Sequence, residues 1–541
     1  MTGLLGSARA MAVGTVASRT TGFLRTVTLA WVLGVASVAN SYNVANTTPN
    51  IIYELLLGGV LTSVVVPLLV RAAREDADGG DAYAHRLLSL VVLVLGVASV
   101  LLVVLAPLVV GVYADRMSEP DQDLAVVFAR FFLPQVLFYG VGAVLGAVLN
   151  TRGSFAAPMW APVLNNVVVI ATGIVFVLLP GPAALTAGTI TDTQIAVLGV
   201  GTTLGILSQT AALIPALRRV GFRLRLRLDL RGMGLRRTAR LAGWVLVYVV
   251  ANQLAYVVVV RLATDEALVA PGRGYTSYVY AFVLWQLPHA VVAVSVITAL
   301  MPRLSRFAAE SDLTALRTEL GQGLRVTVTV LVPAAVGYLV LGRALATLIF
   351  AHNRTTIDEA RFIGTLLGVL AVGLVAYSTY QLQLRAFYAM QDTRTPTLIN
   401  LVVNATFVLV GTGLYLLLPP QLRVAGIAAG QAASFALGLL VCGLVLRRRI
   451  GRDPLARVLA TTGRCLVATL PGALAAGLVA LGVERLLGRG PLAALLTLAL
   501  GGSVLVGAYL PAVRRLGVVE ADALLAPVLR RLRRGGARRR P

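Results

Sequence analysis

The chain has 541 residues, of which 58% are hydrophobic and 13% charged, with a mean hydropathy of +0.85 and a formal net charge of +24. Apolar stretches of membrane-spanning length recur to its end, which excludes a soluble globular protein. The two cysteines, Cys442 and Cys465, fall in or beside apolar segments and indicate neither a disulfide framework nor a cysteine metal site. We predict an all-α polytopic membrane protein.

Apolar segments of about 20 residues or more predict fourteen transmembrane helices. The first six lie near residues 8 to 34, 42 to 71, 86 to 113, 124 to 150, 158 to 180 and 192 to 217. The other eight lie near 238 to 263, 275 to 301, 323 to 350, 362 to 390, 396 to 419, 424 to 446, 460 to 483 and 490 to 511. The first segment has two internal arginines and no convincing small-residue cleavage site, so we expect it to be retained rather than removed as a signal peptide.

The arginines predict the orientation of these spans. All 47 Lys and Arg residues are Arg, and most of them lie at span ends and loops that share a side with the N-terminus. Because cytoplasmic loops carry the excess of positive charge, we expect both termini in the cytoplasm and the protein in the cytoplasmic (plasma) membrane.

Two segments are strongly basic: the loop over 218–240 and the tail that follows the last span. Such segments set topology and can lie on anionic lipid, and nucleic-acid binding is the other interpretation of a basic run. A membrane protein of this charge has reason enough for both segments, so we expect anionic membrane lipids as partners and no nucleic acid.

Two pairs of similar segments lie six predicted spans apart. LTSVVVPLLVRAA at the end of span two resembles ITALMPRLSRFAA at the end of span eight, and NTRGSFAAPMWAPVLNN after span four resembles QDTRTPTLINLVVN after span ten. We therefore predict a duplicated six-helix unit whose copies share one orientation and enclose a central site. The predicted division is an N-terminal lobe over 1–220, a basic cytoplasmic linker over 221–237, a C-terminal lobe over 238–446, two additional helices over 447–512 and a basic cytoplasmic tail over 513–541.

Arg19 and Arg25 lie near the middle of the first span. An isolated charge at such a depth costs from about 2.5 to more than 10 kcal/mol, so it persists mainly where it faces a wet cavity or a partner. On a helix the two arginines point about 120° apart, while Ser18 shares the face of Arg25. We predict an anion-binding cavity lined by these residues, with snorkelling to the interface or pairing with a carboxylate as the alternatives.

Polar residues of span two extend this candidate site. Glu54 is a carboxylate within a span, and Asn50 precedes it by one helical turn. Glu54 could pair with Arg19 or Arg25, form a proton or cation site, or reach the interface. We include Glu54 and Asn50 among the candidate substrate-binding residues.

A second basic site is conceivable at the outer side. Arg261 and Arg273 flank the external link between spans seven and eight. Ordinary loop charges are the competing interpretation.

The sequence has no recognisable catalytic motif, since the chain has neither a phosphate-binding P-loop nor an HExxH motif. The sequence therefore favours transport over catalysis and indicates no metal site.

Five segments in order over residues 8 to 510 carry a resemblance to a known family. They are SRTTGFLRTVTLAWVLG from residue 18, the PN pair of Pro49 and Asn50 with the later GG, LNTRGSFAAPMWAPVLNN from residue 149, ALMPRLSRFAAESD from residue 299 and RAFYAMQDTRTP from residue 385. The chain resembles the MurJ (MviN) lipid II flippases of the multidrug/oligosaccharidyl-lipid/polysaccharide exporter superfamily.

The resemblance implies a flippase that moves undecaprenyl-pyrophosphate-linked disaccharide-pentapeptide, lipid II, from the inner to the outer leaflet by alternating access. It also implies a role in peptidoglycan biosynthesis, with cell-wall synthesis or division proteins as candidate partners. In the family, arginines of spans one, two and eight engage the pyrophosphate, and Arg19 and Arg25 match the span-one pair. No cofactor is implied; transport would be coupled to membrane potential or to a monovalent cation, for which Asn404 is the position carried over.

This chain departs from the family pattern at several positions. The family's basic position in span two falls near Ile52, Tyr53 and Glu54, and its basic position in span eight falls near Val283; none of these is Arg here. Two alternatives to lipid II therefore stay open: another polyprenyl-linked oligosaccharide as cargo, and a drug/cation antiporter. Arg19 and Arg25 count against the antiporter, because cationic drugs favour acidic cavity walls.

Overall fold

A computed structural model describes residues 2–55, 66–76, 78–182, 184–225, 227, 229, 235–265, 269–451 and 455–522. These residues form α-helices α1 to α20 and one π-helical segment, and the described ranges contain no strand. The all-α prediction is therefore confirmed. Two compact units divide the chain: residues 1–276 with 352–355, and residues 277–351 with 356–541.

The first unit contains eleven helices within the described residues. They are α1 (Thr2–Leu33), α2 (Ser37–Glu54), α3 (Val66–Glu75), α4 (Asp81–Val104), α5 (Ala106–Ala114), α6 (Glu119–Phe132), α7 (Gln135–Thr151), α8 (Ala156–Leu178), α9 (Asp192–Ala211), α10 (Leu213–Arg219) and α11 (Leu235–Ala263). The predicted lobe boundaries at 220 and 238 refer to the sequence repeat and stay a prediction. The compact first unit extends further along the chain and includes α11.

The second unit begins within α12 and continues through α20 in the described residues. Its helices are α12 (Tyr275–Pro288), α13 (Val294–Ala309), α14 (Leu313–Phe350), α15 (Ile357–Val372), α16 (Leu374–Ala389), α17 (Arg394–Leu417), α18 (Arg423–Ile450), α19 (Leu455–Leu487) and α20 (Pro491–Arg515). A π-helical segment over His289–Ala293 joins α12 to α13 directly after Pro288, at a position where proline removes a helical hydrogen bond.

Eleven helical stretches of the described residues are long and apolar enough to cross a membrane, and α15 with α16, bent by 46° at their junction, make a twelfth. The two predicted spans outside this set correspond to α1 and α2, which are richer in polar residues: α1 carries Arg19 and Arg25, and α2 carries four asparagines. The exterior agrees with a lipid environment, since residues such as Val104 of α4 and Leu417 of α17 are 69% and 83% exposed.

The interior of the first unit is built from aromatic and small residues. Tyr42 of α2 is buried edge-on against Phe128 and Phe132 of α6, with ring centroids 5.8 and 5.1 Å away. Such edge-to-face pairs add to the stabilisation from burial. They fix α2, which carries Asn50 and Glu54, against the rest of the bundle.

Helices α7 and α16, which precede the two similar segments, end in the same way. After α7 the amide of Ser154 donates to the carbonyl of Leu149 at 2.9 Å, and after α16 the amide of Asp392 donates to the carbonyl of Phe387 at 2.9 Å. Gly153 and Gln391 both have positive φ at these ends, as expected for this type of helix termination. The same termination also follows α10 and α13, so it is a common way for helices of this protein to end.

The described part of the basic loop packs on the first unit. His85 Nε2 lies 2.6 Å from the carbonyl of Arg223, and the amide of Arg227 donates to Ser89 Oγ at 2.5 Å. Arg86 forms an ion pair with Asp229 at 2.5 Å. Part of the predicted linker is therefore attached to the start of α4.

The close approach of α17 and α18 depends on glycine. A Cβ atom at Gly430 would lie 2.4 Å from Cα of Gly411, whereas one at Gly413, on α17, would meet nothing within 4 Å. The backbone of α17 leaves no room for a side chain at position 430.

We expect Gly430→Ala to destabilise the protein by about 1–3 kcal/mol through overpacking. Gly413→Ala should be neutral or stabilising, since alanine is the better helix former. Thermal unfolding of the purified variants measures this, and equal midpoints for the two variants would contradict the packing described.

Candidate anion-binding site

Helix α1 packs against α8 along one face that carries small and polar residues. Asn166 Nδ2 of α8 donates to the carbonyl of Ser18 at 3.2 Å and to Thr21 Oγ1 at 3.0 Å. Farther along, a Cβ atom at Gly173 would lie 3.0 Å from Cγ2 of Thr28. These contacts fix the rotation of α1 and hence the directions in which its arginines point.

Arg25 lies on the side of α1 that faces the bundle. It follows Ser18 by seven residues, which places the two within about 20° on the helix. Its side chain is half-buried, and its Nε atom is buried without a hydrogen-bond partner. Among the described residues its guanidinium has no ion pair, and an unsatisfied buried donor costs about 1–3 kcal/mol.

Two tyrosines of the first unit lie near this guanidinium. Tyr42 of α2 and Tyr139 of α7 both lie within electrostatic range of Arg25. Tyr139 also contacts Tyr53 of α2, with ring centroids 4.4 Å apart. Sequence reasoning did not select Tyr42 or Tyr139, because an aromatic residue in an apolar helix carries no local signal of proximity to a charge.

Arg19 points in a different direction. Its side chain is exposed, and it has no hydrogen bond or ion pair with the described residues. Ser18, the third predicted residue of this helix, is half-buried, and its carbonyl is used by Asn166. The structure thus keeps the predicted divergence of Arg19 and Arg25, with one side chain outside the bundle and the other turned into it.

Glu54 and Asn50 are both exposed, at the end of α2. They share a helical face with Asn43, whose Nδ2 donates to Thr276 Oγ1 at 3.1 Å. In the part of the chain that the structure describes, no ion pair joins Glu54 to Arg19 or Arg25. The predicted pair is therefore absent, and the carboxylate does not neutralise either arginine. The GG pair after Glu54 lies outside the described residues.

Farther toward the start of α2, hydroxyl groups connect it to neighbouring elements. Thr47 Oγ1 lies 3.1 Å from the hydroxyl of Tyr275, which lies 2.5 Å from the hydroxyl of Tyr256 in α11. Asn40 of α2 adds a further contact: its Oδ1 accepts from the amide of Thr276 at 3.1 Å. Polar residues of α2 therefore contact the start of α12, and Tyr275 connects them to Tyr256 of α11.

Arg261 is engaged by a carboxylate. Its Nη2 lies 2.7 Å from Asp115 Oδ2, and its Nη1 donates to the carbonyl of Val112 at 3.3 Å. Arg116, the residue after Asp115, forms a second ion pair, with its Nη1 2.8 Å from Asp265 Oδ2. Arg273 is half-buried in the segment that precedes α12. Arg261 thus links α11 to the end of α5, and a ligand-binding role for Arg261 and Arg273 stays a prediction.

Asn404, the residue carried over as a cation-site position, is half-buried on α17. Asn400 lies one turn earlier and is 4% exposed. The described residues contain no group of three or more His, Cys, Asp and Glu side chains arranged to hold a metal ion. A cation role for Asn404 remains a prediction.

Comparison with known proteins assigns the family. The model of the lipid II flippase MurJ family matches residues 29–499. The chain belongs to the MurJ family. A probable lipid II flippase MurJ of Rhizobium meliloti is 26% identical over 81% of this chain and 80% of the relative. A lipid II flippase MurJ of Burkholderia cenocepacia is 27% identical over 80% of this chain and 82% of the relative.

Solved structures share the fold. A lipid II flippase MurJ in an inward closed conformation matches with a TM-score of 0.74 at 17% identity, over 96% of this chain and 99% of that chain. An inward-facing multidrug resistance MATE family transporter matches with a TM-score of 0.64 at 14% identity, over 80% and 94%. The chain is thus a multi-pass membrane protein with a transporter fold, and its family is one of flippases.

The contact of Arg261 with Asp115 predicts a charge-swap result. Arg261→Asp places two carboxylates together and is expected to reduce growth complementation, whereas Arg261→Asp combined with Asp115→Arg restores the pair and the growth. Because the pair is exposed, the single change should cost about 1 kcal/mol or less from the lost attraction, with like-charge repulsion added. If Arg261 instead binds a ligand, the double variant stays as defective as the single one, with equal protein levels by immunoblot as the control.

Proposed function

We propose that this chain is a lipid II flippase that moves the lipid-linked peptidoglycan precursor from the inner to the outer leaflet of the cytoplasmic membrane. Membership of the MurJ family supports the substrate class. The observation in the molecule that carries the proposal is the guanidinium of Arg25, buried at Nε and without a carboxylate partner in the described part of the chain. An anionic cargo would supply that partner.

The chemistry of the cargo fits these side chains. Lipid II carries a pyrophosphate, and a guanidinium is a planar, permanently charged donor suited to bidentate contact with phosphate oxygens. The phenol of Tyr139 near Arg25 is a further hydrogen-bond donor for such a group, whereas the hydroxyl of Tyr42 is engaged by Thr202 Oγ1 at 2.8 Å. Ser18, Asn50 and Glu54 belong to the proposed site as polar contacts for the sugar or peptide portions of the cargo.

Alternating access of the two units would carry the bound head group across the membrane. The fold similarity to transporters supports this part of the proposal. Parallel repeats of this kind enclose a substrate site near the bilayer midplane. By the distribution of arginines both termini are cytoplasmic, so the cargo would enter from the side of the termini.

Membrane potential or a monovalent cation would drive the cycle, with Asn404 as the proposed cation position. The basic tail would contact anionic lipids of the inner leaflet. Cell-wall synthesis or division proteins are the proposed macromolecular partners, because they use the product on the outer face.

Depletion of the protein tests this function. In a strain with no other lipid II flippase, we expect lipid II accessible at the outer surface to fall while total lipid II rises, because synthesis continues on the inner face. Re-expression of the wild-type chain should reverse both changes. Unchanged outer lipid II would contradict the proposal, and loss of a different polyprenyl-linked glycan from the surface would assign the related cargo instead.

The two arginines of α1 predict a loss of function in the same assay. Arg25→Gln and Arg19→Gln should abolish rescue, because each removes charge-assisted contacts worth about 1.5–3 kcal/mol or more to a bound anion. Arg71→Gln is the matched control, since Arg71 is exposed and, among the described residues, pairs only with Glu75 one turn away on α3. Full rescue by both α1 variants, at membrane levels equal to those of the control, would reject the anion-binding role.

A further inference from the structure

A basic cavity of about 260 Å³ lies in the second unit, among α14, α15, α19 and α20. Its charged lining consists of Arg343 on α14, Arg361 on α15, Glu484 on α19 and Arg489, which follows α19. Arg343 lies within a predicted span, and neither the family resemblance nor the proposed site on α1 accounts for it.

The space exists because the helices present small residues to one another. Ala344, Gly477, Ala480, Ala493 and Ala494 line the cavity. Because these small residues leave a gap between the helices, the arginine side chains lie beside an opening large enough for a phosphate group.

The positive charge of the cavity is only partly compensated. Glu484 accepts from Arg361 at 3.2 Å and from Arg489 at 2.5 Å. These two guanidiniums thus share a single carboxylate. The pairs also tie α15 and the segment after α19 together, which fixes the cavity wall.

Arg343 lies outside this ion-pair network. Its Nε donates to Thr365 Oγ1 at 3.2 Å, and its guanidinium makes no ion pair with any carboxylate of the described residues. Its two Nη groups are left for another acceptor. Three arginines against one glutamate give this cavity a net positive charge that an anionic ligand would balance.

The surroundings identify the kind of anion. Leu481 lines the cavity and is 56% exposed, and Leu478 one turn earlier on α19 is 70% exposed. Leu492 at the start of α20 is similarly exposed. Exposed leucines next to guanidiniums match a ligand with both acyl chains and a phosphate, whereas a free anion would gain nothing from them.

We propose that this cavity binds the phosphate of an anionic phospholipid from the surrounding bilayer. The Nη groups of Arg343 hold the phosphate oxygens, Arg489 adds charge at the rim, and the acyl chains lie along the leucines of α19 and α20. In the predicted orientation the lipid belongs to the outer leaflet, since the loops at this end are external. The site lies in the second unit, away from the α1 arginines, and stands independently of the flippase assignment.

Lipid retention by the purified full-length protein tests the proposal. The protein is placed in phosphatidylcholine nanodiscs with increasing phosphatidylglycerol, and the bound lipid is identified by native mass spectrometry. Wild-type protein should retain phosphatidylglycerol in preference to phosphatidylcholine. Arg343→Gln should weaken this retention about fivefold or more, as expected for the loss of one basic residue at a lipid surface.

The controls separate this site from general surface charge. Arg485→Gln removes an exposed arginine from the same end of α19 that does not line the cavity, and should leave retention unchanged. Arg343→Lys keeps the charge and should retain more lipid than Arg343→Gln, which also guards against a folding defect in the glutamine variant. Millimolar inorganic phosphate should not displace the lipid.

Three results would overturn the proposal. Equal retention by Arg343→Gln and Arg485→Gln would assign the effect to the surface as a whole. Equal retention of the zwitterionic lipid would remove the role of charge. Displacement by inorganic phosphate would show that the cavity takes a free anion rather than a lipid.

Discussion

The guanidinium of Arg25 is the constraint on which the account of this protein depends. A permanent charge within a membrane-spanning helix is costly unless water or a partner meets it. Glu54, the carboxylate considered as a partner from the sequence, does not pair with Arg25. The bundle instead supplies the phenols of Tyr42 and Tyr139 and leaves Nε unsatisfied. A site that stays incomplete in the protein alone is suited to a ligand that arrives with negative charge and then departs.

The packing of α1 maintains this arrangement. Asn166 fixes the turn at Ser18, so Arg25 faces the bundle while Arg19 remains exposed. Another arginine of a predicted span is structural instead: Arg261 is held by Asp115. The contrast between a paired arginine and an unsatisfied one separates structural charges from candidate binding charges more clearly than their depth in a span does.

Much of the fold could be predicted from the sequence, because apolar length and Arg placement are local properties. Predicted spans 158 to 180 and 396 to 419 correspond closely to α8 and α17. Glu54 and Asp115 could not be assigned in this way, since pairing depends on helix rotation and on contacts between distant segments. Tyr42 and Tyr139 were missed for the same reason: only the packed helices bring these two aromatic residues near Arg25.

The most direct measurement is the binding of lipid II to purified protein carrying Arg25→Gln, compared with wild type and Arg25→Lys. Native mass spectrometry or fluorescence quenching with labelled lipid II provides the affinity. We expect Arg25→Gln to weaken binding by about tenfold or more, the loss expected for a charge-assisted bond to phosphate, and Arg25→Lys to restore part of it. Equal affinity for all three proteins would contradict the central role of this guanidinium.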